Sequence, residues 1–273
     1  MKYFLYFACL FMFSCSRVEL IYKFAPKVIA DKADDAFDFT SERYDKVRHQ
    51  IESDLKKNKK VIVQNINELL DVLNSLSKKE TLTSKDFQDL FLIIREKQKT
   101  LIYLFKPSFE EVILNTSQAE IKNINLFSEK KFEENDQFLN EKKPFVKKRV
   151  ESFVKLMDYF FDAATPEQKK IYGTFIEKNW SYFQSQSTAR KEFMTRLSWP
   201  ILNREDLKDY VLKYYSSDPS TRSPKHADEL LVFEKNLIEF QSALWLTISR
   251  EQKNYFQAKL KTLKIDLLKL AEQ

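Results

Sequence analysis

Apolar residues recur along most of this chain at steps of three, four and seven, the spacing that lines one face of an α-helix. The longest stripe runs through Tyr44, Val47, Ile51, Leu55, Ile62, Ile66, Leu69, Leu73 and Leu76, and predicts a helix of about thirty-five residues. Phe87, Leu90, Phe91, Ile94, Leu101 and Leu104 predict another ahead of Pro107. Val150, Phe153, Val154, Met157, Phe160 and Phe161 mark a later one, Ile171, Phe175 and Ile176 a shorter one, and Leu260, Leu263, Leu267 and Leu270 the last. Charged residues fill the other positions. The expected fold class is all-α: an elongated bundle of long amphipathic helices with no β-sheet.

Hydroxyl residues stand ahead of these runs: Thr40 in FDFTSERY, Thr83 in TLTSKDF, Thr116 in NTSQAEI, Thr165 in AATPEQKKI and Ser249 in TISREQKNY. A hydroxyl at a helix start accepts from unpaired first-turn amides, and a Gln or acid three places on reaches back to the cap amide. Thr165 with Gln168 is the cleanest case, because Pro166 fits the first helical position and Glu167 faces the helix dipole. Thr83 with Asp86 and Ser249 with Gln252 have the same pattern. Thr40 meets Arg43 and Thr116 meets Ala119 at the third place, although Ser117 with Glu120 offers a shifted box. Residues 16–37 read as an amphipathic helix interrupted near Pro26. Residues 214–228, YYSSDPSTRSPKHAD, read as the one clear loop, ahead of a final helical pair expected to dock on the bundle as a hairpin.

The first residues break the pattern. Lys2 precedes a nearly unbroken apolar run over residues 3–13, followed by Ser14 and Cys15. A charged start and a run of this length ending at a small residue make a secretory leader, too short to span a bilayer. Met12, Phe13, Ser14 and Cys15 look like a bacterial lipobox, with Met12 and Phe13 departing from its usual leucine and small residue. Cys9 lies mid-run and reads as a small apolar residue. Residues 1–14 are therefore expected to be removed, leaving 15–273 as one helical domain acylated at Cys15. Cleavage elsewhere or an uncleaved leader are the alternatives. If Cys15 is the anchor, the mature chain keeps no thiol for a disulfide.

Composition narrows the chemistry. Gly173 is the single glycine of 273 residues, against an average usage of about 7%. That argues against β-hairpins, a dinucleotide fingerprint and a P-loop, all of which need glycine. Lys and Arg number 46 against 40 Asp and Glu, but the signs alternate along the chain, as on solvated helix faces and unlike a nucleic-acid stripe. His49 and His226 are the only histidines, so a zinc site of usual ligands is not expected, and neither is any cofactor. Asp34 with Asp35, and Glu133, Glu134 and Asp136, read as solvated faces. No Ser/His/Asp order is visible, so the chain is not expected to be an enzyme. Among 24 phenylalanines and 12 tyrosines, Phe127, Phe132, Phe138, Phe145, Tyr182 and Phe183 are candidates for an exposed apolar patch.

Cys15 followed directly by a helix, FDFTSERY, NTSQAEI, KKRVESFVKLMDYFFDAATPEQ and the late ISREQ, taken in that order, resemble a family of uncharacterised Gram-negative bacterial lipoproteins with repeated Leu-Thr-x-x-Gln helix starts. Arg43 and Ala119 stand where that pattern has glutamine. More loosely, the motifs are similar to those of small periplasmic chaperones that form curved helical dimers and hold unfolding clients. The resemblance implies a lipid-anchored protein on the periplasmic face of the outer membrane, where Ser16 after the cysteine favours sorting. Its partners would be the bilayer and protein clients. The alternative is a structural lipoprotein that spaces or links envelope components.

Overall fold

The computed structural model describes residues 17–197 and 204–272. Cys9, the candidate lipobox with Cys15, and Ser16 lie outside the described residues, as does the Phe138 side chain. Every regular element among the described residues is helical. In chain order they are α1 (Arg17–Phe37), α2 (Ser41–Ser77), α3 (Ser84–Leu104), α4 (Lys106–Leu114), α5 (Gln118–Asn140) and α6 (Lys142–Phe161). There follow α7 (Pro166–Lys178), α8 (Trp180–Leu197), α9 (Arg204–Tyr215), a 3-10 turn (Pro219–Thr221), α10 (Pro224–Leu246) and α11 (Arg250–Glu272). No helix among the described residues is long and apolar enough to cross a membrane.

The 37 residues of α2 form a spine about 55 Å long at the α-helical rise per residue. α1 runs antiparallel along its first half, where Tyr44 Oη donates to Asp31 at 2.6 Å and Tyr22 Oη donates to the Leu55 carbonyl at 2.5 Å. α11 runs antiparallel along the second half: Gln257 Nε2 donates to the Ser77 carbonyl at 3.2 Å and Lys264 pairs with Asp71 at 2.5 Å. Val18, Ala30, Val47, Ile51, Ile62, Leu260 and Leu267 fill the space between them. This is the stripe read from the sequence, closed by two partners.

A second body is aromatic. Phe145 of α6, Phe175 of α7, Tyr182 and Phe183 of α8 and Phe233 of α10 pack together, with Tyr182 and Phe233 stacked at 3.9 Å between ring centroids. A third cluster joins α4, α8 and α9 through Ile113, Phe193, Leu207 and Val211. α4 begins without a local side-chain cap, and α2 supplies one from across the fold. The buried Asp54 carboxylate accepts from Ser108 N at 2.9 Å and Ser108 Oγ at 2.7 Å. A carboxylate at a helix N-terminus meets both the orphan amides and the positive end of the dipole.

Three expectations are corrected. α1 is not interrupted at Pro26. Proline removes one rung of the ladder, but Pro26 is buried in line with Val18 and Ala30, so tertiary packing carries the helix through it. The loop over 214–228 shrinks, because α9 runs to Tyr215 and α10 starts at Pro224, a proline at the first helical position. The last two helices do not form a hairpin. They scarcely touch: α10 packs on α3, α7 and α8, whereas α11 packs on α1, α2 and α6. Burying α10 among aromatics and α11 among aliphatics separates them at residues 247–249.

A chain nearly without glycine must turn with other residues. Asp38, Asp162 and Ser217 adopt positive φ, at a cost of about 1–2 kcal/mol each. Gly173 is spent elsewhere, in the interior of α7, where it has no positive φ and an added Cβ would meet only Val150 Cγ2 at 3.7 Å. Gly173→Ala is therefore expected to raise stability by about 0.5–1 kcal/mol through helix propensity and a restricted unfolded chain. Thermal or denaturant unfolding reads the change; a loss of stability would contradict it.

Candidate functional site

The helix starts show what the recurrent hydroxyls do. Thr40 Oγ1 accepts from Arg43 N at 3.3 Å, and Thr83 Oγ1 accepts from Asp86 N at 3.3 Å while Asp86 returns to Thr83 N at 2.8 Å. Asp86 is held well below the usual carboxylate range by Lys79 and by the Thr83 hydroxyl and amide. Thr116 is not a cap. Its hydroxyl donates back to the Val112 carbonyl at 2.6 Å, closing α4, and Ser117 caps α5 in a box with Glu120. Ala119 offers no acceptor, so the register shifts by one. Arg43 likewise leaves its own helix: it pairs with the Glu111 carboxylate and donates to the Glu111 and Val112 carbonyls at the end of α4.

The two boxes that end in glutamine, at Thr165 and Ser249, face each other. Gln168 Oε1 accepts from Thr165 N at 2.9 Å, and Gln252 Oε1 accepts from Ser249 N at 3.1 Å. Gln168 Nε2 then donates to the Thr247 carbonyl at 3.1 Å and to Gln252 Oε1 at 3.0 Å. Gln252 Nε2 donates to the Ala163 carbonyl at 2.7 Å and approaches Gln168 Oε1 at 3.4 Å. Each amide thus reaches the carbonyl two residues before the other box's cap, a pseudo-twofold exchange. Gln168 is 0% exposed, so this is a buried network with both of its amides satisfied.

Beside this junction opens a cleft of about 170 Å³. Leu73 and Leu76 of α2, Leu82, Phe87 and Leu90 of the α3 region, Phe161 of α6 and Phe256 of α11 make its apolar walls. Phe161 and Phe256 stack at 4.7 Å. Gln241 and Trp245 of α10 also line the cleft, and Gln241 Oε1 and Trp245 Nε1 are buried without a protein hydrogen-bond partner. Trp245 is 8% exposed, with Lys253 Nζ 4.8 Å over its ring. The slot can take an apolar side chain, and a backbone amide beside it would pair with the occluded donor and acceptor only once the Trp245 and Gln241 side chains turn toward it. No sequence signal marks Gln241 or Trp245, since their convergence depends on how α10 is turned.

Other candidates resolve differently. Phe145, Tyr182 and Phe183 belong to the aromatic core and are not an exposed patch; Phe127 and Phe132 are half-buried. His49 is exposed, whereas His226 lies in the first turn of α10, half-buried, with its imidazole pKa lowered by burial and by Arg222. Ser185 Oγ sits 3.2 Å from His226 Nδ1, but Ser185 is buried and its hydroxyl donates to the Tyr182 carbonyl at 3.0 Å. Its proton is spent on the helix, and no carboxylate among the described residues bonds the ring, so this is packing and not a nucleophile with its base. Among the described residues no three His, Cys, Asp or Glu side chains gather as a metal-binding group.

Gln168→Glu separates capping from interlock. The carboxylate can still accept from Thr165 N but cannot donate to the Thr247 carbonyl, so a loss of roughly 2–3 kcal/mol is expected at neutral pH. Burial raises the folded-state pKa of such a carboxyl above its unfolded value, and the neutral acid regains a donor. The penalty should therefore be full above the raised pKa and shrink as pH falls through it. Denaturant unfolding of both chains at several pH values reads this; a penalty independent of pH would contradict it. Comparison with family models, with curated proteins and with solved structures finds no match for this chain.

Proposed function

We propose that this chain is a lipid-anchored helical binding protein of the bacterial envelope, acylated at Cys15 and facing the periplasm from the outer membrane, and that it holds apolar segments of protein clients without catalysing a reaction. The observation that carries the binding part is the cleft of about 170 Å³ with buried, unpartnered Trp245 Nε1 and Gln241 Oε1. A buried polar atom without a partner costs about 1–3 kcal/mol, a cost a peptide group in the cleft would remove by drawing those two side chains toward it. Support for the anchor is the sequence alone: an apolar run over residues 3–13 ending at Ser14 and Cys15, with α1 under way by Arg17.

Two measurements test the two halves. Mass spectrometry of the mature N-terminus should find Cys15 as the first residue carrying acyl chains, and Cys15→Ala should release or mislocalise the chain; an unacylated peptide beginning elsewhere would overturn the anchor. The full chain should suppress aggregation of reduced lactalbumin near stoichiometry and shift its own tryptophan emission as it does so. Trp245→Phe, which keeps the ring and removes the donor, should weaken this by about five- to tenfold. No protection and no spectral shift would leave the spacing role as the remaining reading.

A further inference from the structure

α1 has two apolar faces where an amphipathic helix needs one. Val18, Pro26 and Ala30 are buried, and the helix packs against α2, α5 and α11. With three neighbours in place, Leu20, Phe24 and Val28 remain 46%, 52% and 48% exposed. They stand at four-residue steps and form a second stripe.

The charges beside that stripe are ordered. Over residues 17–29 the chain carries Arg17, Lys23 and Lys27 against Glu19, whereas over residues 30–37 it carries Lys32 against Asp31, Asp34 and Asp35. The apolar stripe occupies the basic part and stops where the acids begin. Lys23 is exposed and has no side-chain partner among the described residues, and Lys27 is exposed with its ammonium paired to Asp31. Long cationic side chains next to an outward apolar stripe let the stripe enter a headgroup layer while the ammonium groups stay at phosphate level. Cys15 stands two residues before Arg17 in sequence.

We propose that the first half of α1 lies in the surface of the anionic leaflet that holds the Cys15 acyl chains, with Leu20, Phe24 and Val28 immersed at the headgroup–acyl boundary. Because α1 is one continuous helix, it is inclined to that surface, with its acidic end the farther from it. This rests on the reading of Cys15 as the anchor. It turns that anchor from a flexible tether into a fixed orientation, because acyl chains and helix stripe grip the same leaflet within a few turns. Two membrane signals acting together hold far more firmly than either alone.

The test uses the full mature chain, purified from membranes in a Cys9→Ala background and reconstituted in vesicles of phosphatidylethanolamine and phosphatidylglycerol. Single nitroxide labels are placed through Leu20→Cys, Phe24→Cys, Val28→Cys, Asp35→Cys and Leu231→Cys, the last an exposed position on α10. Access to a water-borne nickel chelate at 20, 24 and 28 should be about tenfold lower than at 231, with high access to lipid-partitioned oxygen, while 35 should behave like 231. Nickel access at 20, 24 and 28 equal to that at 231 would overturn the docking. So would dipolar broadening between labels at 24, which would make a second copy of the chain the occupant. The mass of the N-terminal peptide in the same preparation decides the anchor independently, so a failed docking with Cys15 acylated leaves the anchor standing.

Discussion

The fold turns on two buried side-chain amides, those of Gln168 and Gln252. Each closes its own helix start with its oxygen and, with its nitrogen, holds the segment leading into the other. An acid can do only the first of these tasks, since a carboxylate accepts and does not donate. That distinction sorts the boxes. Thr83 with Asp86 and Ser117 with Glu120 end in acids and cap their own helices, whereas the two boxes ending in glutamine pair across the structure. Capping alone would explain a preference for any acceptor three residues on; pairing explains why these two positions carry an amide.

The pairing also fixes where the two largest cores meet. α6 and α11 carry Phe161 and Phe256, stacked below the junction, while α7 and α10 lead into the aromatic body. Because residues 163 and 247 are gripped by the opposite box, the turns before α7 and α11 can splay without leaving carbonyls unsatisfied. The cleft lies along that splay, and its unpartnered Trp245 and Gln241 sit on the helix that diverges from α11. The cleft and the two unpartnered atoms thus lie where the two helices part.

Local features were legible in the sequence and distant pairings were not. The stripe from Tyr44 to Leu76 became one helix over Ser41–Ser77, and Thr165 and Ser249 cap as their spacing implied. Both depend on residues within one or two turns. The exchange between Gln168 and Gln252 spans 84 residues, and no local rule announces it. Pro26 misled because a proline signals a break only when packing does not hold the helix on both sides. Phe145, Tyr182 and Phe183 misled for the opposite reason: they bury one another's rings, Tyr182 stacked on Phe233 and Phe145 tilted against Phe183, a pairing between helices that no single stripe shows. The outward stripe of α1 was hidden inside an overall apolar helix whose two faces only the packing separates.

The amides of Thr165 and Ser249 carry the interlock, since each donates to a glutamine oxygen that is itself held by the opposite box. Turn amides at helix starts ordinarily exchange with water within the range of local fraying. Native-state hydrogen exchange at these two amides is therefore the most direct measurement. The interlock predicts protection approaching that of the α2 core around Ile51 and Ile62, lost together at both sites when either glutamine is removed. Exchange at both amides as fast as at the exposed cap of Thr40 would contradict it.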